Sequence, residues 1–331
     1  MTETSRPGEF ELIARHFAPI AGSGALGLLD DAGLLRPARG YELVVTTDAL
    51  VAGGHFFADD PPGSIARKAL AVNLSDLAAK GARPDGFVLS LALPRNWTED
   101  WLSAFATGLA GLAGESRCPL IGGDTVSTSG PLTLSITAFG SVPAGRMVLR
   151  SGATPGDVVL VSGTIGDGAL GLKVHGPEKP AWVSRLGEPQ RGFLADRYLH
   201  PQPRLALAEA LQGHASAAMD VSDGLVGDLA KLLKASRAGA EIELDTVPLS
   251  PAARAAIMAD PALAELAWTG GDDYEILCTA SEGEYPALVA AAQAAGIALT
   301  PIGRVTGEAG VARYREQGRA RSFAQGSFAH F

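Results

Sequence analysis

The chain has 331 residues, of which 47% are hydrophobic, and its formal net charge at pH 7 is −9. A chain of this length and apolar content can bury two domain cores, which predicts two α/β domains. The acidic balance, with no basic run to offset it, argues against nucleic acid or an anionic membrane as a partner. The lack of a long apolar run and the polar first residues predict a cytoplasmic protein without a membrane span.

Helical and strand patterns alternate along the first half of the chain. The apolar spacing predicts helices over 11–17, 64–80 and 99–113, and strands over 43–47, 87–93 and 132–139. That order favours an α/β or α+β layer structure.

A turn-rich segment at 150–157 interrupts this alternation, and a second one follows it. The second alternation runs through 158–161, 204–211, 225–233 and 274–279. We therefore place a domain boundary near 148–156, which gives domains of 1–148 and 149–331. Residues 176–190 carry three prolines and are predicted to form a loop.

The cysteines and histidines do not indicate a metal or disulfide framework. Cys118 and Cys278 each lie in an apolar stretch, which predicts buried, reduced thiols. The six histidines show no spacing typical of zinc ligands.

Two aspartates of the first half stand at the ends of apolar runs. Asp48 closes the run 43–48, in which strand alternation turns Thr46 and Asp48 to the same side. Asp124 closes the run 119–124, where Gly122 and Gly123 permit close approach of a ligand or backbone. Both positions are candidates for ligand binding.

Further carboxylates of this half stand in apolar surroundings. Asp76 lies in a predicted helix that is apolar nearly all round, with Asn73 one turn earlier on the same face. A charge in that setting needs a partner. The pair Asp30 and Asp31 is flanked by apolar and glycine residues.

The second half repeats the pattern at 217–225, where a short strand is predicted to run into a helix. Asp220 lies in the strand, and Ser222 or Asp223 follows it in the position of a helix cap.

Each of these residues also has a plain structural interpretation. Asp223 is explained as an N-cap, and Asp30 and Asp31 as parts of a turn. Strand propensity explains Thr46 and Thr47, and a buried ion pair explains Asp76.

Six aspartates from separate elements nevertheless share the same context: Asp31, Asp48, Asp76, Asp124, Asp220 and Asp223. Converging carboxylate and hydroxyl oxygens suit Mg²⁺, which keeps waters and substrate phosphates in its shell, so the set favours phosphoryl transfer.

Other nucleotide-binding and catalytic signals are weak. Both 22–27 and 166–171 match G-x-G-x-x-G; the first follows a helical pattern, and the second retains a phosphate-loop role as an alternative. No Walker A sequence, protein-kinase motif set or serine-hydrolase elbow occurs. His55 lies in a glycine-opened loop after Asp48, where a structural role and a substrate contact both remain open.

Together the motifs resemble the thiamine-monophosphate kinase family, a member of the superfamily that includes aminoimidazole ribonucleotide synthetase. The resemblance runs nearly end to end, and its motifs are Asp30-Asp31-Ala32, Thr46-Thr47-Asp48, His55-Phe56, Asn73-Leu74-Ser75-Asp76, Gly122-Gly123-Asp124-Thr125, Arg150-Ser151-Gly152, Asp220-Val221-Ser222-Asp223-Gly224 and Gly270-Gly271-Asp272-Asp273-Tyr274-Glu275.

The resemblance implies a two-domain aminoimidazole ribonucleotide synthetase-like fold. In it, domain 1–148 binds ATP and magnesium and forms a homodimer through its sheet, and domain 149–331 completes the nucleotide and substrate site. It also implies the final step of thiamine diphosphate synthesis, a direct in-line transfer of the ATP γ-phosphoryl group to thiamine monophosphate with several Mg²⁺ ions and no assigned general base.

Matching motifs carry the family's site residues onto this sequence. The implied metal ligands are Asp31, Thr46, Thr47, Asp48, Asp76, Asp124, Asp220 and Asp223. The implied ATP contacts are Gly123, Asp124, Arg150 and Ser222, and the implied substrate contacts are His55, Asp272 and Phe328.

This sequence departs from the family pattern at three places. Leu29 replaces the second glycine of the Gly-Ile-Gly-Asp-Asp motif, Asp272 replaces a longer glutamate, and Phe328 stands where the C-terminal motif has tyrosine. These changes motivate one alternative, a non-catalytic protein that binds nucleotide or thiamine phosphate. A second alternative is a sister ATP-dependent activity on another acceptor in the same fold.

Overall fold

The computed structural model describes residues 8–323, and the chain divides into two compact units. The N-terminal unit comprises Met1–Leu74 and Arg83–Pro143, and the C-terminal unit comprises Ser75–Ala82 and Ala144–Phe331. The division after Pro143 falls a few residues before the segment in which the sequence placed it. Nothing in the sequence indicated that residues 75–82 belong to the C-terminal unit.

The N-terminal unit combines four strands with helices. Its elements in chain order are α1 (Glu9–Leu12), β1 (Tyr41–Val51), α2 (Pro62–Ala79, whose last residues belong to the C-terminal unit), β2 (Arg83–Pro94), α3 (Glu99–Ser116), β3 (Leu120–Thr128) and β4 (Thr133–Pro143). The predicted first helix is irregular, because α1 continues as a π-helical turn over Ile13–Phe17.

The four strands form one mixed sheet in the order β1-β4-β2-β3. The pairs β1–β4 and β2–β4 are antiparallel, and β2–β3 is parallel. One face of the sheet is apolar and buried, through side chains such as Leu89, Leu134 and Ile136. β1 and β3 are the edge strands of the sheet in the part of the chain that the structure describes.

Local signals explain where α3 begins and ends. The Thr98 hydroxyl accepts a hydrogen bond from the Trp101 N–H at 3.1 Å, and Glu99 in the first turn suits the positive end of the helix dipole. The helix stops at Arg117, which adopts a left-handed conformation with φ 54°.

The C-terminal unit contains seven strands and the remaining helices. Its elements are β5 (Val158–Ser162), α4 (Asp167–His175), α5 (Glu188–Leu199), α6 (Ala208–His214), β6 (Ala217–Val221), α7 (Leu225–Ser236), β7 (Gly239–Glu243), α8 (Pro251–Ala259), α9 (Leu263–Thr269), β8 (Glu275–Ala280), α10 (Tyr285–Ala294), β9 (Leu299–Thr306), β10 (Ala312–Glu316) and β11 (Arg319–Arg321). The strand order is β11-β10-β7-β9-β5-β8-β6, and only the pair β10–β7 is parallel.

Helices cover both faces of this second sheet. Val159 and Val161 of β5 pack in one core with Leu229 of α7, whereas Leu160 packs in another core with Leu288 of α10. Because successive strand residues point to opposite faces, a strand covered on both sides is apolar throughout, as β5, β6 and β8 largely are. This confirms the predicted mixed α/β architecture.

Some sequence predictions were wrong in detail. Residues 176–190 are not only loop, since they contain a 3₁₀ helix over Ala181–Arg185 and the start of α5. Asp48 and Asp124 do not close their strands: β1 continues to Val51 and β3 to Thr128, so both aspartates lie inside strands.

Both cysteines are buried and free, as predicted. Burial raises the pKa of the Cys118 thiol and of the Cys278 thiol to about 12, so neither is a reactive thiolate at neutral pH. Among the helices of residues 8–323, none has the length and apolar character needed to cross a bilayer.

Candidate functional site

A cavity of about 350 Å³ opens beside β3 in the N-terminal unit. Its polar lining joins two separate motifs of the sequence: Asp30, Asp31, Gly122, Gly123, Asp124 and Thr125. The sequence predicted that Asp31 and Asp124 serve one site, and the structure brings both to the same cavity wall.

Glycines allow the loop that carries Asp31 to lie directly on β3. A Cβ atom on Gly33 would sit 2.2 Å from the Ile121 carbonyl oxygen, and one on Gly24 would sit 2.4 Å from the Leu34 carbonyl oxygen. Only glycine permits both approaches. The Leu34 N–H donates to the Gly24 carbonyl at 2.7 Å, which closes the loop around Asp31.

The departure at Leu29 does not strain the backbone there. Leu29 has a φ of −109°, which suits any residue, and its side chain is exposed. The left-handed conformations fall just before it, at Leu26, Gly27 and Leu28, whose φ values are 51°, 74° and 56°. The Asp31 N–H donates to Asp30 Oδ1 at 2.8 Å, so the first carboxylate of the pair orders the turn, and both residues line the cavity.

β1 presents the second motif of the N-terminal unit. Thr46 and Asp48 are half-buried between the exposed Val45, Thr47 and Ala49, which confirms that Thr46 and Asp48 share one side of the strand. Hydroxyl bonds fix the other side, because Thr137 Oγ1 donates to Thr47 Oγ1 at 2.9 Å.

The register separates Asp48 from the cavity. Asp48 pairs with Ile136, Ile136 with Leu89, and Leu89 with Gly123, so this row crosses the whole sheet from β1 to β3. Three strand spacings make about 14 Å along the sheet. Asp48 and Asp124 therefore lie on opposite edges of the sheet of one chain.

His55 lies in a tight turn directly after β1. The Val51 N–H donates to His55 Nδ1 at 3.1 Å, and the His55 N–H donates to the Val51 carbonyl at 3.0 Å. Because Nδ1 accepts a hydrogen bond, the neutral ring carries its proton on Nε2. The N–H donor of the neutral ring is therefore Nε2.

In the C-terminal unit, the end of α2 meets β6. Ser75 Oγ donates to Asp220 Oδ2 at 2.8 Å, and Asp220 is 4% exposed. Asp76 follows Ser75 on the same helix. The sequence singled out Asp76 and Asp220 but missed Ser75, the residue that holds the Asp220 carboxylate.

Lys80 is a second residue that the sequence analysis missed. Its ammonium donates to the Ala218 carbonyl at 2.5 Å. Burial, and to a smaller extent the nearby Arg150, lower the pKa of Lys80, whereas Asp220 and Asp76 raise it, and the net value is about 8. The spacing of four residues between Asp76 and Lys80 was the available signal, since it places both on one helix face.

Asp223 is not the cap of α7. Gly224 occupies the N-cap position with a φ of 108°, and no side chain caps the helix there. Lys231 forms an ion pair with Asp223 and also donates to Asp228 Oδ1 at 2.8 Å. The ammonium group of Lys231 is therefore already paired with the Asp223 carboxylate.

The remaining predicted residues of this unit lie on neighbouring segments. The Ser222 carbonyl accepts a hydrogen bond from the Asp272 N–H at 2.9 Å, which joins the predicted ATP contact to the predicted substrate contact. The Arg150 carbonyl accepts a bond from Ser236 Oγ at 2.7 Å. Phe328 lies outside the described residues.

The glycine-rich segment 166–171 is not a phosphate loop. The N–H groups of Gly166 and Gly168 are both taken by the carboxylate of Asp273, at 2.7 and 2.9 Å. An acidic side chain of the chain itself occupies the position that a phosphate would need.

The donor chemistry of these residues fits magnesium. The candidate ligands are carboxylate and hydroxyl oxygens, which hard cations prefer. Within residues 8–323, no three His, Cys, Asp or Glu side chains are grouped closely enough to hold a metal ion. Mg²⁺ is usually bound by one or two carboxylates together with waters and substrate phosphates.

Comparison with known families covers most of the chain. Residues 29–142 match the N-terminal domain model of AIR synthase related proteins, and residues 154–315 match the corresponding C-terminal domain model.

Individual relatives match over nearly the full length. A thiamine-monophosphate kinase from Caulobacter vibrioides is 44% identical over 316 residues, which are 93% of this chain and 87% of that protein. The crystal structure of thiamine-monophosphate kinase from Stenotrophomonas maltophilia K279a superposes with a TM-score of 0.78 at 41% identity, covering 89% of this chain and 91% of that one. A structure of AaThiL complexed with AMPPCP and TMP gives 0.78 at 30% identity, covering 93% and 97%.

Proposed function

This chain belongs to the thiamine-monophosphate kinases of the AIR synthase related family, and from that premise we propose how it transfers the γ-phosphoryl group of ATP to thiamine monophosphate. It is an ATP-dependent phosphotransferase that makes thiamine diphosphate. The observation that carries this conclusion is the 44% identity to a thiamine-monophosphate kinase across 93% of the chain. No comparison favours the sister activity or a binding-only protein.

Four residues are the proposed ATP contacts: Gly123, Asp124, Arg150 and Ser222. Gly123 and Asp124 line the cavity of the N-terminal unit, and a Cβ atom at Gly123 would sit 2.1 Å from the Leu89 carbonyl oxygen. Arg150 and Ser222 belong to the C-terminal unit. Binding at these four positions is supported by the motif match.

Several Mg²⁺ ions are proposed to accompany the nucleotide. The proposed ligands are Asp31, Thr46, Thr47, Asp48, Asp76, Asp124, Asp220 and Asp223. Bound magnesium would neutralise the phosphate charges that develop during transfer. This chain's residues supply oxygen donors, and the hydrogen bond of Ser75 to Asp220 and the ion pair of Lys231 with Asp223 hold two of the carboxylates in place.

The transfer is proposed to be direct and in line, without a phosphoenzyme. The acceptor is a phosphate, which is already ionised at neutral pH, so no strong general base is required. Positioning and charge neutralisation are then the main contributions of the protein.

The proposed substrate contacts are His55, Asp272 and Phe328. The His55 ring offers its Nε2 proton because the Val51 N–H occupies Nδ1. An N–H donor suits a phosphate oxygen, whereas the Asp272 carboxylate suits a cationic or amino group. Thiamine monophosphate carries both kinds of group.

The working unit is proposed to be a homodimer that forms through the N-terminal sheet. Asp48 and Asp124 stand on opposite edges of that sheet, yet both are proposed magnesium ligands. A second copy whose β3 edge approaches the β1 edge would bring the two carboxylates together. Exposed apolar side chains on both edge strands support this association, with Val45 57% exposed and Val126 49% exposed.

A product assay tests the proposed function. Purified protein is incubated with ATP, Mg²⁺ and thiamine monophosphate, and the thiamine species are separated by chromatography, with free thiamine as the control acceptor. We expect thiamine diphosphate from the monophosphate alone. Stoichiometric ATP binding without any diphosphate would instead favour a binding-only role. A cytoplasmic location is proposed from the same family membership.

A further inference from the structure

The turn that carries Asp272 holds two non-glycine residues in the left-handed region. Asp272 has a φ of 71° and Tyr274 a φ of 51°. Such residues are strained relative to ordinary backbone, so the surrounding structure must hold the turn in place. Strained residues of this kind concentrate at functional sites.

The residue between them, Asp273, provides the strongest of these restraints. Its side chain is 1% exposed, and its two carboxylate oxygens accept the N–H groups of Gly166 and Gly168 at the N-terminus of α4. Burial raises the pKa of Asp273 well above its usual value, and the two N–H bonds act in the opposite direction. A carboxylate that accepts two backbone donors cannot rotate without losing both.

Close backbone contacts also restrain the turn that carries Asp272. A Cβ atom on Gly168 would sit 2.2 Å from the Asp272 carbonyl oxygen, and one on Gly271 would sit 2.1 Å from the Ser222 carbonyl oxygen. Arg197 Nη2 donates to the Asp273 carbonyl at 3.2 Å. These contacts tie the turn to α4, to the Ser222 segment and to a buried guanidinium.

The restraint on the backbone extends to the Asp272 side chain. The Tyr274 N–H donates to the Val221 carbonyl at 2.8 Å, and the Tyr274 hydroxyl donates to Asp272 Oδ1 at 3.2 Å. Asp272 is one methylene shorter than the glutamate of the related motif. The position of its carboxylate therefore depends more strongly on the position of the backbone. A small displacement of the turn would therefore move the carboxylate out of range.

We propose that Asp273 is a positioning residue for substrate recognition, whose carboxylate, held by the Gly166 and Gly168 N–H groups, keeps Asp272 in the left-handed conformation that presents its carboxylate to thiamine monophosphate. This inference rests on the proposed function. Asp273 itself touches no substrate, and it acts only through Asp272.

Asp167 provides a matched control. It is also a buried carboxylate at the N-terminus of α4, but it accepts hydrogen bonds from the hydroxyls of Ser250 and Thr164, at 2.5 Å each, and it acts on Asp273 only through its charge. Asp273→Asn is expected to raise the KM for thiamine monophosphate about tenfold or more while the KM for ATP changes less than about threefold. Asp167→Asn should lower the melting temperature without altering either KM.

A double-mutant cycle distinguishes positioning from a merely structural role. If Asp273 acts through Asp272, adding Asp273→Asn to Asp272→Asn should raise the KM for thiamine monophosphate little further. Asp273→Ser, which keeps an oxygen acceptor, replaces the asparagine variant if that one does not fold.

The outcomes separate this inference from the proposed function. Wild-type protein that makes no thiamine diphosphate contradicts the proposed function. If the wild-type protein is active, two results overturn the role of Asp273. One is that the effects of the two substitutions on the KM for thiamine monophosphate are additive. The other is that Asp273→Asn raises both KM values equally. A selective, non-additive rise in the KM for thiamine monophosphate supports it.

Discussion

Gly63 and Gly108 meet backbone to backbone where α2 and α3 cross in the N-terminal unit. A Cβ atom on Gly108 would sit 2.3 Å from the Gly63 carbonyl oxygen and 2.4 Å from its Cα atom. The two helices can approach this closely only because Gly108 carries no side chain, since a Cβ atom there would overlap the Gly63 backbone. The contact helps to set how α2, with Asn73 near its far end, lies beside the sheet.

Replacement of Gly108 by alanine is expected to destabilise the protein by about 1–3 kcal/mol, since the methyl group forces the helices apart. Gly114 is the matched control, because it lies in the same helix with nothing within 4 Å of its Cβ position. Gly114→Ala should stabilise by up to about 1 kcal/mol through helix propensity. Urea unfolding of the three proteins measures both effects, and shifts of the same sign would contradict the crossing contact.

Several elements could be predicted from the sequence because their signals are local. α3 has a capping threonine and an apolar periodicity, and β6 runs into α7 as the spacing at 217–225 indicated. The strand β3 escaped prediction because Gly122 and Gly123 interrupt its apolar pattern and its second half is polar and exposed. The β-propensity of these residues does not show that β2 pairs with β3 in the folded protein.

The parts of the site that the sequence could not supply depend on contacts between distant residues. Asp273 meets Gly166 across 107 positions, and Ser75 meets Asp220 across 145. The glycine-rich match at 166–171 was compatible with a phosphate loop until the structure showed a carboxylate bound there. Only the tertiary fold shows that these N–H groups bind a carboxylate of the same chain and not the phosphate of a ligand.

Lys80 should make stability depend on pH in a defined direction. Its pKa is about 8 in the folded protein against 10.5 for a free lysine, so between these values the unfolded chain binds the proton that the folded chain has released. The free energy of unfolding therefore rises with pH across this window, by about 3 kcal/mol in total, because each pKa unit corresponds to about 1.4 kcal/mol.

Lys80→Met removes this contribution. The difference in unfolding free energy between wild type and variant should shift in favour of the wild type from pH 8 to pH 10, measured by urea titration at each pH. Lys173→Met, a substitution of an exposed lysine in α4, should show no such trend. A constant difference for Lys80→Met would show that the ammonium is not buried as described.

Asp48→Ala is expected to abolish phosphoryl transfer and leave the fold intact. The strand bond at this position is made by the Asp48 carbonyl, which accepts from Ser135 Oγ at 3.0 Å and is retained in alanine. Loss of a proposed metal ligand should lower turnover by about 100-fold or more. Glu42→Gln, on the same side of β1, is the control and should remain active. Circular dichroism checks the fold, and an unfolded Asp48→Ala protein would undercut the metal interpretation.

Complementation between inactive variants tests whether two chains share each site. Asp48 lies on β1 and Asp124 on β3, at opposite edges of the sheet. If one chain supplies Asp48 and its partner supplies Asp124, a mixed dimer of Asp48→Ala and Asp124→Ala contains one intact site. Co-expression should then restore roughly a quarter of wild-type turnover, since about half of the dimers are mixed and each has one working site of two.

The control pair is Asp48→Ala with His55→Ala. Both residues lie on the β1 side of one chain, so every site of that mixture lacks one of them and activity should stay low. Restoration in the first pair alone supports sites shared across the β1 and β3 edges. Equal failure of both pairs would mean that Asp48 and Asp124 do not act together across a dimer, and the proposed assembly would have to be abandoned.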